Sequence, residues 1–511
     1  MRLLRCDGKI NSVWNLFVGS LMVFAALVWL LLSSDKKPSS ATNPDAGGGP
    51  LEPLIVYCAP AVKAPIEAIA REYEREFKRQ IQLQYGPSQT LLTQAEIAKR
   101  GDVFVPADDS FNDIGRTKNL IAEAIPLVRM QAVLLVKKGN PAGIKSVADL
   151  ARPTVKVALG GDASAIGKLT RQSFEKLNQW DALSKKVVFK ITVSDVANDV
   201  KLGSVDAGIV WNSMLPMYET LEGVEAPELT AVTAKVSAAL LRSAKNPTAA
   251  LHFMRYVSAR DKGLTEFRKS GFEVEEGDVW SDVPELKFFA GAMLRPAIET
   301  TIKEFETRES VKVTRVYNGC GILVSQMRAL KGAGLPDAYF ACDTSFMKQV
   351  ADLFLDSEDV SQNQLVILVK KGNPHGIAEL KDLGKAGLKL GVGHEKQCAL
   401  GALTAVTFKT SGVFDGVMKN VKVQSATGDL LVNQLLTGSL DAVVAYVSNA
   451  AAAGDKLDAV KIDIPCAIAV QPMALSKESA NKRLAGRLLD ALRSAESRER
   501  FEAQGFKWTT Q

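Results

Sequence analysis

The sequence predicts an α/β protein built twice: two tandem repeats, each of two doubly wound α/β lobes with a cleft between them, preceded by an N-terminal transmembrane helix. Three observations predict this. The phrase Val133-Leu-Leu-Val-Lys-Lys-Gly-Asn-Pro141 returns as Val366-Ile-Leu-Val-Lys-Lys-Gly-Asn-Pro374, each copy an apolar, β-prone run stopped by a Gly-Asn-Pro turn signal. Other stretches recur at the same spacing of about 230 residues, Glu-Tyr-Glu74 as Glu-Phe-Glu306 and Ser-Gly-Phe272 as Gln-Gly-Phe506, which means a duplicated domain and not a short-period solenoid. Within each copy, short apolar runs alternate with amphipathic ones, the pattern of βα units.

The N-terminus is of another kind. Arg2, Arg5 and Lys9 precede an uncharged run over residues 13–32, about the ~20 residues a helix needs to cross a bilayer core. This charge order predicts a cytoplasmic N-terminus, with everything after Ser33 on the periplasmic, extracytoplasmic side of the cytoplasmic membrane. The run ends Val-Trp-Leu-Leu-Leu-Ser-Ser without a small-x-small cleavage site, so a single-pass anchor is expected rather than a cleaved signal. Residues 1–33 read as stub and anchor. Residues 34–53, rich in Ser, Pro, Asn and Gly, read as a flexible linker, and 54–280 and 284–511 as the two repeats, each expected to fold alone.

Composition narrows the function. The net charge of +6 is spread without basic runs, which argues against nucleic acid as a partner. The chain has three histidines, His252, His375 and His394. His252 and His375 fall in a return helix and a turn, where a surface histidine is the expectation, and no nucleophile–base–orienter set accompanies them. Neither an enzyme nor a cofactor is expected.

Taken in order, Leu54-Ile-Val-Tyr-Cys58 is a strand that delivers Ala-Pro-Ala-Val into a helix through Ile66, Ile69 and Tyr73. Such a helix start offers free backbone N–H groups to an anion. Strand 81–85 runs into Gly86-Pro-Ser-Gln-Thr, and Asp102-Val-Phe-Val-Pro-Ala-Asp108 gives a third parallel strand. After the repeated phrase a second βα series starts at 155–159 with Gly160-Gly-Asp-Ala-Ser-Ala-Ile-Gly167, followed by Asp206-Ala-Gly-Ile-Val-Trp211 and return helices over 248–269. The second copy runs in parallel from Leu286 to Asp441-Ala-Val-Val-Ala-Tyr446. Asp108, Asp206, Asp343 and Asp441 read as local caps and turn ends, and Lys63 and Arg295, just before the first helix of each copy, as solvent-facing.

These stretches resemble the molybdate-binding, ModA-like proteins that serve ABC importers, within the type II solute-binding fold. The resemblance rests on Gly101-Asp-Val-Phe-Val-Pro-Ala-Asp108 and Asp206-Ala-Gly-Ile-Val-Trp211, with the loop motifs matching more loosely, and it covers residues 54–511 twice over. It implies that each repeat closes two lobes on a molybdate- or tungstate-like oxyanion held by neutral donors, and presents it to an importer permease. By motif position the candidate ligand residues are Ala61, Ser88, Ala107, Ala165 and Trp211 in the first repeat, and Met293, Cys320, Cys342, Ala399 and Tyr446 in the second. Departures from the family pattern accompany them: Ala61 stands for a serine, Ser88-Gln89 for Ser-Gly, and Trp211 for tyrosine. Two alternatives stay open, a sensing or interaction ectodomain with degenerate clefts, and a soft-metal site from Met293, Cys320, Cys342 and Cys398, with zinc further drawing on His394 or Asp343.

Overall fold

The computed structural model describes residues 51–330, 334–451 and 453–509. In the first repeat the strands are β1 (Leu54–Cys58), β2 (Ile81–Tyr85), β3 (Val103–Val105), β4 (Ile121–Lys137), β5 (Val157–Gly160), β6 (Val187–Lys190), β7 (Ala207–Trp211), β8 (Leu221–Val224), β9 (Thr233–Leu241) and β10 (Glu273–Val274). In the second they are β11 (Glu285–Gly291), β12 (Lys312–Asn318), β13 (Ala338–Phe340), β14 (Glu358–Lys370), β15 (Leu390–Gly393), β16 (Val421–Ser425), β17 (Ala442–Tyr446), β18 (Leu457–Lys461), β19 (Ile468–Leu475) and β20 (Lys507–Trp508). The strand orders are β2-β1-β3-β9-β4-β7-β5-β6 and β12-β11-β13-β19-β14-β17-β15-β16. One topology is thus used twice.

The expectation of parallel sheets holds for the ligand-side strands alone. β1, β2 and β3 pair in parallel, as do β5, β6 and β7, but β9 and β4 join antiparallel. The repeated phrase is not a strand of its own. It is the tail of β4, a 17-residue strand whose first part, through Gln131, pairs with β9 and whose Ala132–Val136 stretch pairs with β7. One strand therefore belongs to both lobes, and β14 does the same between β19 and β17. Burial explains the phrase's apolar character, because Val133, Leu134, Leu135 and Val136 are all buried where the strand enters the second lobe.

Of the four aspartates read as local, Asp206 and Asp441 are long-range fasteners, and Asp102 and Asp337 do the same in the other lobes. Asp102 accepts the Ile55 N–H at 2.8 Å, Asp337 that of Lys287 at 2.7 Å, Asp206 that of Lys156 at 2.8 Å and Asp441 that of Lys389 at 2.8 Å. Each carboxylate sits just before one parallel strand and fastens the start of its neighbour, once per lobe. Asp343 does cap its helix, accepting from the Ser345 N–H, and Asp108 likewise accepts from Ser110.

The membrane placement is corrected. Among the described residues no helix is long and apolar enough to cross a membrane, and the run at 13–32 on which the single-pass anchor rested lies outside them, as do stub and linker up to residue 50.

Candidate functional site

In the first repeat all five candidate residues meet. Ala61, Ser88, Ala107, Ala165 and Trp211 line one cavity of about 260 Å³, counted to its open mouth, together with Ser164, Thr192 and Val193. The helices Ser88–Ala98 and Ala165–Lys176 start at this cavity, and the single turn Pro60–Val62 leads from it into the helix Lys63–Phe77. Helix starts leave backbone N–H groups without intrahelical partners. They are the natural donors in a site whose lining carries no charged side chain.

Ser88 illustrates how the donors are set. Its Oγ accepts the Ala107 N–H at 3.0 Å, which fixes the oxygen and leaves the hydroxyl proton to donate. Ser164 and Thr192 are committed elsewhere: Ser164 donates to the Gly161 carbonyl and caps Gly167, while Thr192 exchanges bonds with Asp195. Trp211 is fully buried on β7 and contributes bulk where the family motif has a tyrosine. Across the cleft the Gln89 N–H donates to the Ala163 carbonyl at 3.3 Å, so the two lobes touch and the cleft is closed.

The second repeat keeps this plan with sulfur. Cys320, the first residue of the helix Cys320–Ala329, stands where Ser88 stands, and Cys342, directly after β13 and Ala341, stands where Ala107 does. The Cys342 N–H donates to the Cys320 Sγ at 3.1 Å, and the two sulfurs are 2.6 Å apart. Cys398 replaces Ser164 as the cap of the helix Ala399–Thr410, its Sγ accepting from Gly401 at 3.4 Å. Met293 lies buried on the turn Ala292–Leu294, Ala399 is buried at its helix start, and Tyr446 is buried with its hydroxyl unpartnered. The Gly321 N–H donates across this cleft to the Gln397 carbonyl at 3.0 Å.

The hydrogen bond it gives to Cys320, and then burial, raise the Cys342 thiol. For Cys320 burial acts upward, but the bonds received from the Cys342 thiol and N–H outweigh it and the thiol is lowered. Among the described residues no group of three or more His, Cys, Asp or Glu side chains is arranged to hold a metal ion. The structure joins Cys320 to Cys342 and gives Cys398 to a helix cap.

Sequence reasoning missed several of these roles. Ser164 was legible from its place three residues before Gly167, and Thr192 and Val193 from the capping box Thr192-Val-Ser-Asp195 that opens their helix. Lys63 and Arg295 are not simply solvated: Lys63 lies 4.7 Å over the Tyr85 ring and Arg295 5.5 Å over the Tyr317 ring. His252 is the larger correction. It is mostly buried, bonded to the Tyr73 hydroxyl and to Asp282, each at 2.8 Å, because its return helix packs on Tyr73, Phe77 and Trp280. His375 is at the surface, 3.5 Å from Asp441. A larger cavity of about 380 Å³ lies at the junction of the repeats, away from every candidate, lined by Arg255, Asp278 and Arg487; Arg487 there is engaged in ion pairs, and no run of helix starts opens onto it.

Two lobes sharing long crossing strands, closed over a neutral cavity of helix starts, define a solute-binding protein of the periplasmic type, in duplicate. A family model described as "Bacterial extracellular solute-binding protein" matches residues 54–273 and again 286–507, and the chain belongs to that family. Among its relatives are a putative ABC transporter substrate-binding lipoprotein, YvgL, of Bacillus subtilis, 26% identical over half of this chain and 98% of its own length, and the molybdate-binding protein ModA of Mycobacterium tuberculosis, 26% identical over 50% of this chain and 95% of its own. The substrate-binding domain of a putative molybdenum ABC transporter from Clostridium difficile is 24% identical, covers 44% of this chain and 99% of its own, with a TM-score of 0.35. The chain carries this family's domain twice, in tandem.

Proposed function

We propose that the first repeat holds a small tetrahedral oxyanion, of the molybdate, tungstate or sulfate kind, between its lobes, and that the chain delivers it to the permease of an ABC importer. The convergence of Ala61, Ser88, Ala107, Ala165 and Trp211 on one uncharged cavity at helix starts carries the reading. A dianion taken out of water needs several directed donors, and backbone N–H groups with one hydroxyl supply them without a compensating cation. The name of the ModA relative, molybdate-binding, points the same way.

Thermal unfolding of the full chain with molybdate, tungstate, sulfate and phosphate tests it. A ligand bound only by the folded state at about 100 times its Kd stabilises by ~2.7 kcal/mol, and Ser88→Ala is expected to weaken that shift while Ala61→Ser, which restores a hydroxyl, strengthens it. No shift with any oxyanion overturns the proposal. One observation favours a second reading, a ligandless interaction module: the helix-start N–H groups of Gln89 and Gly321 are spent on closing their clefts. A melting temperature unmoved by every anion is its expected result.

A further inference from the structure

We propose that Cys320 and Cys342 form a reversible disulfide, making the second cleft a redox-sensitive site while the first, with Ser88 and Ala107 at the same positions, is redox-inert. Three observations carry it. The two sulfurs already lie side by side at 2.6 Å, on a helix start and at a strand end that β-sheet pairing holds in place. Gly291 makes room for them: a Cβ there falls 1.9 Å from the Cys342 Sγ and 3.1 Å from that of Cys320, so any other residue would push the pair apart. The thiols also have no competing role, since the cap function belongs to Cys398 and no metal cluster includes them among the described residues.

The oxidant is a small or protein disulfide. The Cys320 thiolate, the one favoured by its hydrogen bonds, attacks one oxidant sulfur, breaking the oxidant's S–S bond and releasing one thiol. Cys342, deprotonated to solvent, then attacks the Cys320 sulfur of this mixed disulfide, forming the Sγ–Sγ bond and releasing the second thiol. Two electrons pass to the oxidant, and the two protons leave with the released thiols. Both sulfurs are buried in the closed state, so the attack belongs to the open cleft, with the contact between the Gly321 N–H and the Gln397 carbonyl released.

The test is a thiol count on the denatured full chain after incubation with oxidised glutathione. The chain has six cysteines. The wild type is expected to fall from six reactive thiols to four, with mass mapping that joins the peptides of Cys320 and Cys342, and to recover six after dithiothreitol. Its melting temperature is expected to rise on oxidation, as a cross-link restricts the unfolded chain. Cys320→Ser and Cys342→Ala each install the residue the first repeat carries at that place, and each is expected to keep all five remaining thiols with no oxidative shift. Six thiols in the oxidised wild type, or the same loss of two in either variant, overturns the proposal.

Discussion

His252 shows how a single side chain acquires a role that its position in a helix does not announce. Its Nε2 faces Asp282 and its Nδ1 the Tyr73 hydroxyl, an arrangement that suits the neutral ring, with Nε2–H donating to the carboxylate and Nδ1 accepting from the tyrosine. Burial, and then the charge of nearby Arg255, hold its pKa below the ordinary 6.5 against the pull of Asp282. The unfolded chain then takes up a proton more readily than the folded one. The contribution of His252 to stability is whole above about pH 6.5 and is lost as pH falls through the folded value. Melting curves between pH 7.5 and 5 are expected to show the wild type losing stability on acidification by up to ~1.4 kcal/mol per unit of depression, and His252→Gln to show a shallower slope from a lower starting point. Equal slopes would remove the histidine from this account.

At the scale of elements, what the sequence made legible was whatever repeats locally. Strand, loop and helix alternation follows from periodicity and turn signals. What it hid was long-range. The first part of β4 mixes buried with exposed and part-buried positions, Arg129 among the exposed, while Ala132–Val136 is buried throughout, so the apolar phrase stood out and its own N-terminal half did not. The aspartate fasteners were equally hidden, because each bond spans about fifty residues of chain and leaves no local pattern. They differ in burial, which gives a prediction. Asp102 is 7% exposed, whereas the bonds of Asp206 and Asp441 are exposed. Asp102→Ala, which strips a part-buried N–H of its acceptor, is expected to cost about 1 kcal/mol in denaturant unfolding, and Asp206→Ala less than half as much. A larger loss at Asp206 would mean that the fasteners do not act through burial.

At the scale of the whole molecule, the two repeats are joined by more than the chain. Asp278, at the end of the first repeat, accepts the N–H groups of Arg483 and Leu484 at 2.8 Å each, and so caps the helix Lys482–Leu492 of the second. Glu123 on β4 pairs with Arg308 and with Arg487, and Arg487 in turn pairs with Glu309, which is wholly buried. We take residues 54–280 and 284–511 as the folding units, since each holds a complete strand series. Cutting between them leaves Arg487 its own Glu309 but deprives the second unit of its helix cap and the first of the partners of Glu123. Loss of a cap costs ~1 kcal/mol, and each partly exposed ion pair ~0–1 kcal/mol. Calorimetry is therefore expected to show one cooperative transition for the full chain and, for each half alone, a cooperative transition at a lower temperature. Asp278→Ala combined with Glu123→Ala is expected to split the full-chain transition into two near the values of the isolated halves. Halves that melt at the temperature of the full chain would show that the junction does not couple the repeats. A half with no transition at all would place the folding boundary elsewhere than between Trp280 and Pro284.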